Sequence, residues 1–279
     1  MNNEIYENLL EQGYATIENC LENQLIENIK ENINKTLILN LKKYNTNDSK
    51  DLIKNYYNLK KHISQFDIQR LIGKDLVDND LITKIFFSNK LSRELINLLG
   101  PDIEYLCDSE IAINDKSVVE DDYLIKKYHQ EFWSGMGLEA FQLWIPIHLL
   151  PGMGTIEVVK KSHTWGHIPH KNREPLEIPE DHESEILNPK VGSVVIMSAL
   201  TLHRTVKNEH IQPRIALPLT IRNFYYPNTG NLDLSNFKKL NFSFFSRMRK
   251  ILGNPHYSPF RSLGQKRTDF FKKNNYSKK

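Results

Sequence analysis

At Gly100-Pro101 the hydrophobic rhythm of this chain changes, so the residues on either side of that point cannot build the same kind of element. Before it, Leu21, Leu25, Ile29 and Ile33 recur at helical steps around Glu22 and form one apolar stripe. Ser88 stands where a cap would start a short helix carrying Leu91, Leu95 and Leu98. Gly100-Pro101 ends it, because glycine tolerates the backbone turn at a helix end and proline cannot continue the ladder. An Asn/Lys/Asp-rich stretch at 43–54 reads as a loop. After Pro101 the runs at 103–107, 110–114, 123–128, 141–149, 155–159, 191–197 and 214–224 are short and rich in β-branched and aromatic residues. No long helices separate them. That pattern predicts a mainly β protein, an antiparallel sandwich or jelly roll rather than a βαβ fold. The segment 169–189 breaks the pattern with charges and four prolines and is expected to be a long loop near a site.

The 279 residues, 39% hydrophobic, suffice for one sizeable core. The expected organisation is a single domain over 1–230, helical over 1–100 and β over 101–230, followed by a basic extension over 231–279. From Lys238 onward there are twelve Lys/Arg against Asp269 alone, a charge of +11, while the rest holds 25 basic and 33 acidic side chains and carries −8. No window is apolar for the roughly 18 residues that a membrane span needs, and the acidic start does not look like a signal peptide, so a cytoplasmic location is expected. Cys20 and Cys107 match no metal-binding spacing and read as small buried hydrophobes. For the basic extension the open readings are a solvated tail, a flap for an anionic substrate, or peripheral contact with an acidic membrane surface. Nucleic acid is not expected, since no recognition motif accompanies the charge.

Alternate side chains of an extended chain share a face, so in His129-Gln130-Glu131 the imidazole and the carboxylate point the same way. His203 follows the apolar run at 191–197 and is placed to add a second imidazole from a neighbouring strand. Two imidazoles and one carboxylate on one side of an octahedral iron leave adjacent positions open for a bidentate keto acid and dioxygen. A keto acid with a second, distant carboxylate needs a cation at its far end. Arg214 offers a planar, permanently charged fork, and Thr205, two residues from His203, could add a hydroxyl donor. His163, His167 and His170 near Trp165 invite a zinc reading, but Gly166 and Pro169 oppose the helix that would align them. Trp144 and Trp133 read as cavity wall and packing.

In combination these segments resemble the phytanoyl-CoA dioxygenase (PhyH-like) family of Fe(II) and 2-oxoglutarate oxygenases. The resemblance rests on HQE at 129–131, on WIPIHLL and GTIEVVKKSH within 144–163, and on GSVVIMSALTLHRTVKNEHIQPR at 192–214. It extends to the opening LLEQGYATIENCLENQLIENIKENI, which is similar to the family's short helix, Gly-Tyr strand and longer helix. It implies a double-stranded β-helix with N-terminal helices packed on one side. His129, Glu131 and His203 would be the metal ligands and catalytic centre, Arg214 and Thr205 the co-substrate site, and Trp144, Ser162, His163 and Asn208 pocket residues. The implied cofactors are Fe(II), 2-oxoglutarate and O2. The implied reaction is hydroxylation of an unactivated C–H bond in a small molecule, anionic or carrier-linked, with release of succinate and CO2. Glu131 stands where the family more often has Asp, and keeps the charge and the donor oxygen. Lys160-Lys161 replace the usual Pro-Gly before Ser-His. Two alternatives stay open: a catalytically silent jelly-roll binding protein, and a cupin-like metalloenzyme that does not use 2-oxoglutarate.

Overall fold

Helical and strand segments form separate layers, although residues 14–17 of the otherwise helical first hundred join the large sheet as an edge strand. The structure, a computed structural model, describes residues 4–108, 110–116, 126–240 and 242–252. Helix α1 (Glu4–Gln12), strand β1 (Tyr14–Ile17) and helix α2 (Asn23–Leu41) open the chain, followed by α3 (Leu52–Lys60), α4 (Gln65–Asp78), α5 (Leu81–Phe86) and α6 (Asn89–Leu99). Strands β2 (Ile103–Leu106), β3 (Ala112–Asn114), β4 (Ala140–His148), β5 (Ile156–Val159), β6 (His170–Lys171) and β7 (Glu174–Pro175) come next. Then follow β8 (Ser184–Leu187), β9 (Val194–Ser198), β10 (His203–Thr205), β11 (Arg214–Asn223), β12 (Phe237–Lys239) and helix α7 (Phe244–Leu252). The large sheet runs β1-β9-β4-β11-β2-β12, with β3 also on β11, and every pairing is antiparallel. A second sheet runs β10-β5-β8, and β6 and β7 form a separate ribbon. Among the described residues no helix is long and apolar enough to cross a membrane.

Side-chain alternation decides which layer each residue joins. Leu143, Ile145 and Ile147 of β4, Val194 and Ile196 of β9, and Ile215, Leu217, Leu219 and Ile221 of β11 pack with the helices. Their opposite-parity neighbours Trp144, Val195, Met197 and Ala216 pack instead with Ile156, Val158 and Leu187 of the second sheet. The large sheet is thus covered on both faces, by helices on one and by the small sheet on the other. That explains why its strands read as almost continuous apolar runs. The expected helix α6 is present, with Leu91, Leu95 and Leu99 buried and Leu98 only half-buried. Gly100 ends it with φ 75°, a backbone conformation that favours glycine. Ser88 occupies the cap position, but its side chain makes no capping bond.

Four expectations need correction. The loop at 43–54 ends early, because Asp51 accepts hydrogen bonds from the backbone of Ile53 (2.8 Å) and Lys54 (3.3 Å) and starts α3. The segment 169–189 is not only a loop: it holds β6, β7 and β8, and β8 completes the small sheet. β8 is an edge strand with only Leu187 buried, so it carries no apolar alternation to read. The run at 123–128 lies outside the described residues up to 125, and the residues after that are not strand. Finally, the segment expected to be a separate extension from 231 contributes β12 to the large sheet and buries Leu240 in the core. Its basic part beyond 252 lies outside the described residues.

Candidate metal centre

Register places the two sheets' functional side chains in one space. His203 pairs with Val158 and Thr205 with Ile156, so both share the face that looks across at the large sheet. From that sheet Trp144 and, with the parity of Ala216, Arg214 point into the same inter-sheet space. His129 enters from the loop before β4. Its backbone N–H donates to the carbonyl of His203 (2.9 Å) and that of His203 donates back (3.1 Å), an isolated antiparallel bridge that sets the two imidazoles side by side, ring centroids 4.2 Å apart. Gln130 is extended (φ −106°, ψ 138°), and Glu131 then starts a short 3-10 turn. The carboxylate therefore returns to the side of His129.

One ligand atom from each of His129, Glu131 and His203 lies within 4.8 Å of the other two. Glu131 Oε1 is 3.4 Å from His129 Nε2 and 3.6 Å from His203 Nε2. Among the described residues this is the group of three or more such side chains able to hold a metal ion. The imidazoles are oriented for it. Nδ1 of His129 lies 2.8 Å from the carbonyl of Lys127 and Nδ1 of His203 lies 2.9 Å from that of Thr201. A carbonyl only accepts, so each Nδ1 carries the proton and each Nε2 presents a lone pair. His129 Nε2 is buried without a hydrogen-bond partner. A buried, unpartnered lone pair beside a carboxylate is what a cation would satisfy. Burial, and after it the neighbouring His203, pull the His129 pKa down to about 4, so the ring is neutral at physiological pH. For Glu131 burial acts upward, yet Lys126, 3.6 Å away, and the two histidines together hold the carboxyl well below the usual range. Two imidazoles and one carboxylate make a donor set that suits a divalent first-row metal.

Arg214, the first residue of β11, is 2% exposed, and its Nε and Nη1 are buried without partners. Its guanidinium lies over the ring of Trp144, 5.2 Å from the centroid. Burial pushes its pKa down to about 10. An unpaired buried guanidinium is costly and leaves a planar fork free for a carboxylate. Thr205 is half-buried in β10, and its backbone N–H donates to the carbonyl of Lys126 (2.8 Å).

The other expected pocket residues are engaged by the protein itself. Ser162 is fully buried, donates to the carbonyl of Val159 (2.7 Å) and accepts from the N–H of Leu202 (2.8 Å), so it braces the strand before His203. His163 Nε2 meets the carbonyl of Leu10 (2.9 Å). Asn208 ties the carbonyls of Asn114 (3.0 Å) and Gln212 (2.8 Å) and accepts from the N–H of His210 (3.0 Å), shaping the loop into Arg214. The zinc reading of three histidines does not assemble. His163 faces α1, whereas His167 and His170 pack edge to face at 5.6 Å, with Trp133 stacked on His170 at 4.4 Å. Sequence reasoning missed Gln130. It is fully buried, donates to the carbonyls of Gly166 (2.9 Å) and Leu200 (2.7 Å) and accepts from the N–H of Ile168 (3.1 Å), which pins the His129–Glu131 turn to the chain leading to His203. Its position between two candidate ligands was the available signal.

No protein-family model and no curated protein matches this chain. Solved structures do. The apo non-heme monooxygenase ThoJ superposes with TM-score 0.54 at 13% identity, over 79% of this chain and 77% of that one. The epimerase SnoN, in complex with Fe3+, alpha ketoglutarate and nogalamycin RO, gives 0.55 at 12% identity over 80% and 84%. The alpha ketoglutarate dependent carbocyclase SnoK gives 0.50 at 13% identity over 86% and 96%. At such identities the likeness establishes the fold: antiparallel sheets with helices, shared with non-heme, alpha ketoglutarate dependent enzymes.

Proposed function

We propose that this chain is a mononuclear Fe(II) oxygenase that consumes 2-oxoglutarate and O2 and hydroxylates an unactivated C–H bond of a small molecule. The observation that carries the reading is the joint presence of a buried His129–Glu131–His203 cluster and a buried guanidinium with unpartnered nitrogens facing the same inter-sheet space. Bound there, ferrous iron with the keto acid would supply the oxidant, releasing succinate and CO2. The chain's own residues have separate tasks. His129 and His203 offer Nε2, held in the right tautomer by the carbonyls of Lys127 and Thr201, and Glu131 supplies the anionic oxygen. Arg214 would take the distal carboxylate of 2-oxoglutarate, with Thr205 as a hydroxyl donor on the same side, and Trp144 would keep the guanidinium in place and water away from it. The double-stranded β-helix and the PhyH-like ancestry read from the sequence belong to this proposal, as does an anionic or carrier-linked substrate. The structural neighbours include a monooxygenase, an epimerase and a carbocyclase, so the outcome at the substrate carbon is a separate question from formation of the oxidant.

The test is anaerobic titration of the protein with Fe(II) and then 2-oxoglutarate. A visible charge-transfer band that saturates with 2-oxoglutarate, disappears in His203→Ala and precedes slow succinate release in air is expected. An iron form that ignores 2-oxoglutarate sinks the proposal in favour of a cupin-like metalloenzyme. Failure to bind iron at all would favour the silent binding protein.

A further inference from the structure

Behind the two imidazoles, on the far side of the small sheet, three side chains meet at one carboxylate. Alternation puts His203, Thr205, Ile156 and Val158 on the inner face, so Arg204 and Glu157, which pair directly across β10 and β5, stand on the outer one. Tyr128 joins them there, because it precedes His129 in the segment that lies along β10. In that segment the carbonyl of Lys126 accepts from the N–H of Thr205 (2.8 Å), and His129 and His203 exchange backbone bonds. Glu157 is 7% exposed. Its Oε1 accepts from the hydroxyls of Tyr128 (2.8 Å) and Ser184 (2.5 Å), and its Oε2 takes Nε and Nη2 of Arg204, each at 2.6 Å. The guanidinium of Arg204 also lies over the Tyr128 ring, 4.7 Å from its centroid.

Each oxygen of Glu157 thus receives two donors, so the carboxylate is a junction and not a free binding group. Its partners are the chain neighbours of both imidazoles: Tyr128 precedes His129 and Arg204 follows His203. Residues 126–129 form no regular strand, and backbone hydrogen bonds join them to β10. Glu157 adds a side-chain tie that reaches one strand further, to β5, and through Ser184 to β8. Tyr128 shares a peptide unit with His129, so a sideways shift of one carries the other. A preorganised site tolerates only about 0.5 Å of such drift. The carbonyls of Lys127 and Thr201 set the tautomer and tilt of the rings, but the spacing between the two segments needs a separate constraint.

We propose that Glu157 is a positioning residue of the metal centre: by gathering Tyr128 and Arg204 on the outer face of the small sheet, it fixes the spacing of His129 and His203 on the inner face. The inference rests on the reading of His129, Glu131 and His203 as metal ligands.

The experiment is titration of the full chain with Co(II) alone, followed by its visible absorption, with the affinity taken from competition with a chelating dye. Glu157→Gln keeps the size of the side chain and removes the charge that holds Arg204. It should weaken Co(II) binding by about tenfold and change the shape of the Co(II) bands. Tyr128→Phe keeps the ring and removes one bond to the junction, and should weaken binding by a smaller factor. Combined with Glu157→Gln it should cost less than it does alone, because both break the same junction. Ile72→Val, buried in the helix layer, should lower the melting temperature and bind Co(II) as wild type does. Measured where every variant is folded, a merely structural Glu157 would lower melting temperatures and leave affinity and spectrum unchanged. That result in both variants overturns the proposal and leaves the metal reading intact. Wild type that binds no Co(II) overturns both. Tyr128→Phe decides the matter by itself where Glu157→Gln does not fold.

Discussion

Replacing Arg214 by methionine should make the protein free of co-substrate more stable and deaf to 2-oxoglutarate. The guanidinium is 2% exposed, its Nε and Nη1 lack partners, and burial draws its pKa from its usual value down to about 10. At about 1.4 kcal/mol per unit, the charged form costs about 3 kcal/mol in the folded state. The sign follows from the order of the two values. Below about 10 both the folded and the unfolded chain hold the proton, so the whole penalty is present at neutral pH and is relieved only as pH rises from about 10 towards the ordinary guanidinium value. Contact with the Trp144 face, 5.2 Å away, returns about 1 kcal/mol. Methionine keeps much of the aliphatic stem without the charge, so a net gain of about 2 kcal/mol is expected, which corresponds to about 4–8 °C in melting temperature for a chain of this size. Wild type should behave oppositely, gaining about 2.7 kcal/mol when 2-oxoglutarate is at a hundredfold excess over its Kd. Thermal melts of both proteins across a 2-oxoglutarate series read the two effects at once. A variant that melts well below wild type without ligand, or that still shifts with 2-oxoglutarate, would refute the reasoning, because Arg214 would then be a satisfied structural residue.

Glu131→Ala leaves two imidazoles without an anionic donor and should cut metal affinity by at least about tenfold, which competition with a chelating dye would read. Stability of the metal-free protein should fall on acidification. The His129 pKa is lowered from 6.5 to about 4, so the unfolded chain takes up the proton first and up to about 3 kcal/mol is lost as pH drops from 6.5 towards 4. The depressed Glu131 acts in the same direction below about 4.5, and melts of wild type and His129→Asn between pH 4 and 7 should differ mainly in the slope above 4.5. Ser162→Ala strands the buried N–H of Leu202 beside His203 and should destabilise the fold by about 1–3 kcal/mol, measured by urea unfolding.

How far the chain could be read in advance varied with how local each cause was. Helix α6, the change of period at Gly100-Pro101 and the large-sheet strands β4, β9 and β11 were readable because their apolar positions are set by neighbours a few residues away. The triplet at 129–131 was readable as an imidazole and a carboxylate on one side, although the real device is an extended Gln130 followed by a 3-10 turn, not a strand. Strand β8 was not readable: three of its four residues are exposed, and its place in the sheet depends on β5. Ser162 and Asn208 were expected in the pocket and are instead tied to backbone carbonyls that no spacing rule reveals.

By itself, the sequence determined the kinds of donor available, their order along the chain and the faces that must be buried, since these depend on residue chemistry and short-range periodicity. Only the tertiary structure decided that His129 and His203 exchange backbone hydrogen bonds, that Arg214 is sealed beside Trp144, and that Glu157 gathers Tyr128 and Arg204 behind the imidazoles. Those facts depend on register between distant segments and on which surfaces remain after the layers have packed, and neither quantity is carried by any single stretch of residues.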